Sequence, residues 1–374
     1  MVESRQTSAA HTTSSELPGR SWPEGDQLFR GDPHWVGGDG AYSIQVGDDR
    51  VIWIFADTFI SLAGLGRRQA GDAVMINNSL GVQTGLDPTT ASMRFCWRTS
   101  PEGRPASFFA DEGEGYFWPG NAVLLGDRLL AFLARVRPRT LSPEEAAETL
   151  PVWNFEGYGW AAVLVSNPYD EPEDWQIRYL PPVEFQHAKI VGFGAVWLDG
   201  DYVYAHTDAR SVEQGQHLAR WHASDAADGH LQDAQWWCGE DAGWRAEQDV
   251  VGRPALTVDQ PQSEFTVHRD RTRNQLVWVQ TSRLYHADIL VRTGSRPEGP
   301  WSRFVPVFHP PEGDKPHGFT YAAKAHPELR PPGDELLLTY NNNSESPTGL
   351  MDDPELYYPR FVRVPSDVLW QASG

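Results

Sequence analysis

Hydrophobic and polar positions along the chain recur as one unit: an apolar run, a short polar turn, then a second apolar run. The first unit is GDGAYSIQV, GDDR and VIWIFADTF, over 38–59. The second is GNAVLL, GDR and LLAFLARV, over 120–136. The third is FGAVWL, DGD and YVYAHTDA, over 193–209, and the fourth is EFTVHRD, RTRN and QLVWVQT, over 264–281. The fifth is KAHPELR, PPGDE and LLLTYNNN, over 324–343. Asp-Gly and Gly-Asp turns between alternating apolar runs predict β-hairpins. Each hairpin leads to a third strand, at 79–85, 160–168, 217–224, 288–295 and 359–366. Four units continue into an aromatic fourth strand (MRFCWRT, WQIRYL, AQWWCG, WSRFVPVF). The fifth lacks one, and the segment 24–36 is expected to supply it from the N-terminal side.

Five units of about four strands predict an all-β fold, a five-bladed β-propeller with a central channel. Two β-sandwiches in tandem are the alternative. Residues 1–21 are rich in Ser and Thr and read as a disordered N-terminal arm, with 22–374 as a single domain. One short helix is expected, at 143–150.

Antiparallel pairing brings the start of each first strand and the end of each second strand to the same mouth. In the first unit Asp39 and Asp57 lie nine residues either side of Asp48, at the centre of the turn. They are predicted cross-strand partners. Two carboxylates facing each other repel, so one is expected to carry a proton at neutral pH, as acid/base or nucleophilic chemistry requires. The same rule selects Trp118 and Asn121 in the second unit, with Arg135 opposite. It selects His187, Lys189, His206 and Asp208 in the third, and Glu264 in the fourth with Thr281 opposite. In the fifth it selects Tyr321, Lys324 and His326, with Asn341 and the two asparagines after it opposite. Aromatic rings stack on the C–H faces of sugars, and carboxylates and amides bind hydroxyls. A small-molecule or oligosaccharide substrate is therefore the expected partner.

Composition narrows the picture. The chain has 16 Trp, 12 Tyr, 16 Phe, 34 Gly and 29 Pro in 374 residues, which suits many short strands and turns. Lys+Arg is 31 against Asp+Glu 51, a formal charge of −20. Such a chain has no basic footprint, so neither nucleic acid nor an anionic membrane surface is an expected partner. Cys96 and Cys238 make neither a disulfide framework nor a zinc motif, and no metal or cofactor is expected. P-loop, dinucleotide and G-x-S-x-G motifs are missing. Residues 1–21 carry no apolar core of secretory type, and a cytoplasmic location is expected.

The motifs WVGGDGAYS, WIFADTF and NNSL resemble the opening of the domain-of-unknown-function 4185 family. So do YFWPGNAVL, HLARWHA, RPEGPW, and AAKAHPEL followed by LLLTYNNN. That family resembles five-bladed glycosidase-like propellers, some of them endo-acting D-arabinan hydrolases of actinobacteria in glycoside hydrolase family 183. The resemblance implies that Asp39, in GGDGAYS, and Asp57, in FADTF, carry catalysis. The five-bladed glycosidases that the family resembles more widely place a general-acid Glu on a later blade, for which Glu264 is the candidate. The expected roles are Asp39 as nucleophile or general base and Asp57 as its partner, acid or pKa modulator, with Glu264 the alternative acid. The expected function is a glycoside hydrolase-like enzyme acting on a furanoside or related sugar. A non-hydrolytic biosynthetic enzyme using the same acidic pocket, or a non-catalytic sugar-binding propeller, are the alternatives.

Overall fold

Successive side chains of a β-strand point to opposite faces, so a strand buried on both faces reads as a continuous apolar run. The second strands of the hairpins (VIWIF, LLAFLA, LVWV) are such runs, and the computed structural model shows what each face meets. It describes residues 17–371 except 111–112, 114, 143, 146–148, 208–214, 259, 261, 271 and 347. Val51, Trp53 and Phe55 enter one apolar cluster, while Ile52 and Ile54 enter another. Leu129, Ala131 and Leu133 face one way, and Leu130, Phe132 and Ala134 the other.

The described chain is all-β, and five of its sheets have four or more strands. The first sheet pairs Tyr42–Gln45, Arg50–Phe55, Ser79–Thr84 and Ser92–Cys96. The second pairs Tyr116–Leu125, Arg128–Pro138, Phe155–Val165 and Ile177–Tyr179. The third runs from Val191–Asp199 and Tyr202–Thr207 through Gln216–His222 to Gln235–Trp237 and Trp244–Ala246. The fourth pairs Thr266–Asp270, Gln275–Thr281, Ile289–Gly294 and Val305–Phe308. The fifth pairs Gly318–Ala325, Glu335–Ser344 and Arg360–Pro365, with Arg20–Ser21 at its outer edge.

Each apolar cluster is shared by two of these five sheets. The first and second sheets share one around Ile52, Phe117 and Leu133, and the second and third another around Phe132, Trp160 and Trp221. Trp197, Phe265 and Trp278 join the third to the fourth. Val277, Val291 and Leu338 join the fourth to the fifth, and Trp53, Leu337 and Phe361 join the fifth back to the first.

Three sequence expectations change. The strand that completes the fifth sheet is Arg20–Ser21, paired with Arg363 and Val362, and not the segment 24–36. That segment instead forms the helix Pro23–Asp26, a 3-10 turn and the strand Trp35–Gly38 of a small sheet. The first strand of the fifth hairpin is Gly318–Ala325 rather than 324–330. Pro327 has no N–H to give a ladder, and a bulge between Tyr321 and Lys324 breaks the alternation that marks a strand. Residues 1–16 of the N-terminal arm, and residues 143 and 146–148 of the helix expected at 143–150, lie outside the described residues. No helix among the described residues is long and apolar enough to cross a membrane.

Candidate active site

The ladder of the first hairpin pairs Tyr42 with Ile54 and Ser43 with Trp53. Continued outward, that register sets Asp39 opposite Asp57, and Gly38 pairs with Thr58 beyond them. Asp39 N–H donates to the Asp57 carbonyl at 3.1 Å, and Ala56 N–H donates to the Asp39 carbonyl at 2.9 Å. The turn is tight. Gly40 has φ +80°, and a Cβ there would lie 2.9 Å from the Ala56 nitrogen. Ala41 follows in the left-handed region at φ 53°, a strained setting for a residue with a Cβ. The cross-strand pairing expected from the sequence is thus present.

The two carboxyl groups meet different surroundings. Asp39 Oδ2 accepts from Tyr321 Oη at 2.6 Å and from Tyr357 Oη at 3.1 Å. Its Oδ1 is shielded from solvent and has no hydrogen-bond partner. Burial, and then the charges of Asp57 and Glu264, push the Asp39 carboxyl from its usual 3.8 up to about 8. The two phenols pull the other way and do not prevail. Both phenols are themselves held well above 10 by burial and remain donors. Asp57 Oδ1 accepts from Trp118 Nε1 at 2.8 Å and from Asn77 Nδ2 at 3.2 Å.

The third carboxylate, Glu264, precedes the first strand of the fourth sheet. Its Oε1 accepts from Lys324 Nζ at 3.1 Å. Lys324 is fully buried; its Nζ also donates to the Ala322 carbonyl at 3.2 Å and lies 4.2 Å from the centre of the Tyr42 ring. Burial pushes this ammonium down, and Glu264 holds it up. The Tyr42 hydroxyl donates to the carbonyls of Phe193 and Gly194, tying the first sheet to the third.

A cavity of about 280 Å³ lies between the first strands of all five sheets, touching Ser43, Asn121, Trp197, His268 and Lys324. His326 and Glu328 also line it. Ser43 Oγ bonds both Glu328 and His326 Nδ1, and His326 Nε2 bonds Thr339 Oγ1 at 2.7 Å. Burial holds His326 neutral, at about 3, and raises Glu328 to about 7. A larger cavity, about 490 Å³, lies among turns of the second and third sheets around Gly126, Asp201 and His222. Neither cavity touches Asp39 or Asp57, so volume alone would have pointed away from the carboxyl cluster.

The structure sorts the remaining candidates. Trp118 joins the cluster as a donor to Asp57 and stacks on Phe193. Tyr321 joins it as a donor to Asp39. Asn121 is a strand-to-strand tie, donating to the Val196 carbonyl at 3.0 Å. Lys324 is bound to Glu264 rather than open to a ligand, and His326 sits inside the wall. Asn341 is opposite Tyr321 and buried, with both amide atoms unpartnered. His187 packs edge-on against Trp236, and Lys189 is exposed; neither contacts the carboxyl cluster. Asp208 lies outside the described residues. The sequence reading missed Tyr357, Tyr42 and Asn77. Asn77 stands just before the third strand of the first sheet, in the NNSL motif, and could have been found there.

Residues 24–367 match the family described as a domain of unknown function, DUF5005. The chain belongs to that family. Its label differs from the 4185 family that the motifs resemble. No curated protein matches the DUF5005 chain. Among solved structures it is similar to a provisionally assigned hydrolase from Bacteroides ovatus, at 17% identity and TM-score 0.71, over 95% of this chain and 92% of that one. That likeness is one of fold. A looser similarity, TM-score 0.48 and 11% identity, links it to the GH62 α-L-arabinofuranosidase catalytic domain of Coprinopsis cinerea, over 89% of this chain and 92% of that one. Another, TM-score 0.46 and 12% identity, links it to the GH43_1 enzyme of Xanthomonas citri, over 91% of this chain and 92% of that one.

Proposed function

We propose that the five large sheets are the blades of one propeller around a central channel, and that the mouth beside Asp39 is a glycoside-cleaving site. Support for the ring is the cyclic order of the shared apolar clusters, the last of which returns to the first sheet. The observation that carries the activity is the asymmetric carboxyl pair. Asp39 is pushed up to about 8 and holds a proton at neutral pH, while Asp57 faces two N–H donors. Glycoside cleavage needs one carboxyl group of each kind. Asp39 then gives its proton to the leaving glycosidic oxygen as the bond to the anomeric carbon breaks. Asp57 faces the positive charge that grows on the sugar ring, and water then bonds to the anomeric carbon and returns a proton to Asp39. This reverses the role expected for Asp39 from the sequence, because burial beside two other carboxylates favours its protonated form. The substrate is a small sugar or oligosaccharide, with furanosides the first class to test.

The test is turnover on a panel of aryl glycosides, furanosides included, by the parent and by Asp39→Asn. The variant should lose about 100-fold or more of the rate while keeping the parent's circular dichroism. A parent-like rate in a folded Asp39→Asn variant overturns the assignment.

A further inference from the structure

Trp153 stands in a 3-10 turn, Pro151–Trp153, between the second and third strands of the second sheet. Its ring reaches the fifth sheet, where it meets Phe319 with centroids 5.2 Å apart. Tyr285, between the second and third strands of the fourth sheet, meets the same Phe319 ring at 6.1 Å. Phe319 in turn lies 5.5 Å from Tyr321, whose hydroxyl donates to Asp39. One carboxyl group joins the two outer rings: Glu345 Oε1 accepts from Trp153 Nε1 at 2.8 Å and from the Tyr285 hydroxyl. The backbone holds this group in place. Glu345 N–H donates to the His317 carbonyl at 2.9 Å, and Thr320 N–H donates to the Leu284 carbonyl at 3.0 Å. Phe319 is buried at the base, whereas Trp153 is half-buried and Tyr285 is 41% exposed. The segment that carries Trp153 also borders the other carboxyl group. Phe155 packs edge-on against Trp118 at 4.5 Å, and Trp118 donates to Asp57.

We propose that Trp153, Tyr285 and Glu345 form a second sugar subsite, which takes the ring next to the one held at Asp39 and Asp57. The preferred ligand is then an oligosaccharide rather than a monosaccharide glycoside. Trp and Tyr each present a large apolar body with a polar edge. That body suits the C–H face of a sugar ring, and a carboxyl group between the two rings suits its hydroxyls. Phe319 and Tyr321 stand between these rings and Asp39, so a sugar seated here is a neighbour of the reacting one and not that ring itself. Contacts to such a remote ring can raise turnover at the reacting centre. Because the wall is fixed by hydrogen bonds within the protein, little ordering is left for the ligand to impose. The proposal rests on the reading of the mouth as a glycoside site and deepens it.

The experiment is a calorimetric titration of Asp39→Asn protein, chosen so that binding is read apart from turnover, with arabinofuranosyl and xylosyl mono- and trisaccharides. At least one trisaccharide should bind about tenfold more tightly than its monosaccharide. Adding Trp153→Ala should cut that ratio to below about threefold. Adding Tyr285→Ala instead should lower it in the same direction; Tyr285 is exposed enough for this variant to cover the case in which the Trp153 one does not fold. The indole N–H NMR signal of Trp153, assigned by its loss in Trp153→Phe, should move with the trisaccharide. Absence of turnover in the parent would end the glycosidase reading and leave these ratios readable. Equal binding of mono- and trisaccharides, a trisaccharide preference that survives both substitutions, or a Trp153 signal that the bound trisaccharide does not move overturns this proposal alone. No sugar binding at all overturns both.

Discussion

Asp39 is a residue whose cost to the fold depends on pH. Unfolded, its carboxyl titrates near 3.8; folded, it titrates at about 8. Between those values the folded chain holds a proton that the unfolded chain has released. Its contribution to stability is complete below the unfolded value and is lost as pH rises through the folded one. Asp39→Asn has no such dependence. The melting temperature of the variant should therefore gain on the parent's steadily from pH 4 to above pH 8, read by calorimetry across the range; parallel curves would show that Asp39 is not buried as described. At this scale the pairing of Asp39 with Asp57 was legible, because counting outward from a two-strand turn fixes the register. Tyr357 was not. It reaches Asp39 across 318 positions of sequence, and no local pattern encodes such a contact. Nor could sequence show that Lys324 would be wholly buried, since that follows from the bulge.

The elements that carry these side chains are held by buried polar ties. The segment 350–357 brings Tyr357 to the site, and Arg68 pins it. Arg68 Nε donates to the Leu350 carbonyl at 2.8 Å, and Nη2 donates to Asp353 at 3.1 Å and Leu356 at 2.7 Å. Its Nη1 donates to the Val36 carbonyl, so a single guanidinium joins this segment to the small sheet beside Asp39. Asn342 adds a second tie, accepting from Tyr357 N–H at 2.9 Å where the backbone is left-handed, at φ 64°. Arg68→Met keeps the bulk and removes the donors, leaving buried carbonyls unpaired at about 1–3 kcal/mol. The expected result is a lower melting temperature and about a tenfold loss of turnover, as Tyr357 leaves Asp39. A parent-like rate would place Tyr357 outside the working site. The fifth hairpin shows why the sequence misled at this scale. Its first strand is bulged where the site needs it, so the alternation that announces a strand is lost, and KAHPELR reads as one because it is flanked by turn residues.

The molecule as a whole was more legible than its parts. Five copies of one hairpin pattern gave the sheets, and the unbroken apolar runs in their second strands follow from burial on both faces. Trp53, Trp221, Trp236 and Trp278, all fully buried, fill the spaces between sheets, which accounts for much of the aromatic richness. The strand that completes the fifth sheet was hidden, since two polar residues, Arg20 and Ser21, carry no pattern. Among the many acidic groups behind the formal charge of −20, only a few are drawn inward, and Asp39 is the one whose proton the proposed chemistry uses. The measurement that tests this most directly is the pH profile of turnover on a glycoside that the parent cleaves. Activity should hold up to about pH 8 and fall above it as Asp39 loses its proton, and Asp39→Asn should stay about 100-fold or more below the parent with no such fall. A rate that stays level well above pH 8, or an Asp39→Asn variant that keeps the parent's profile, would contradict the account.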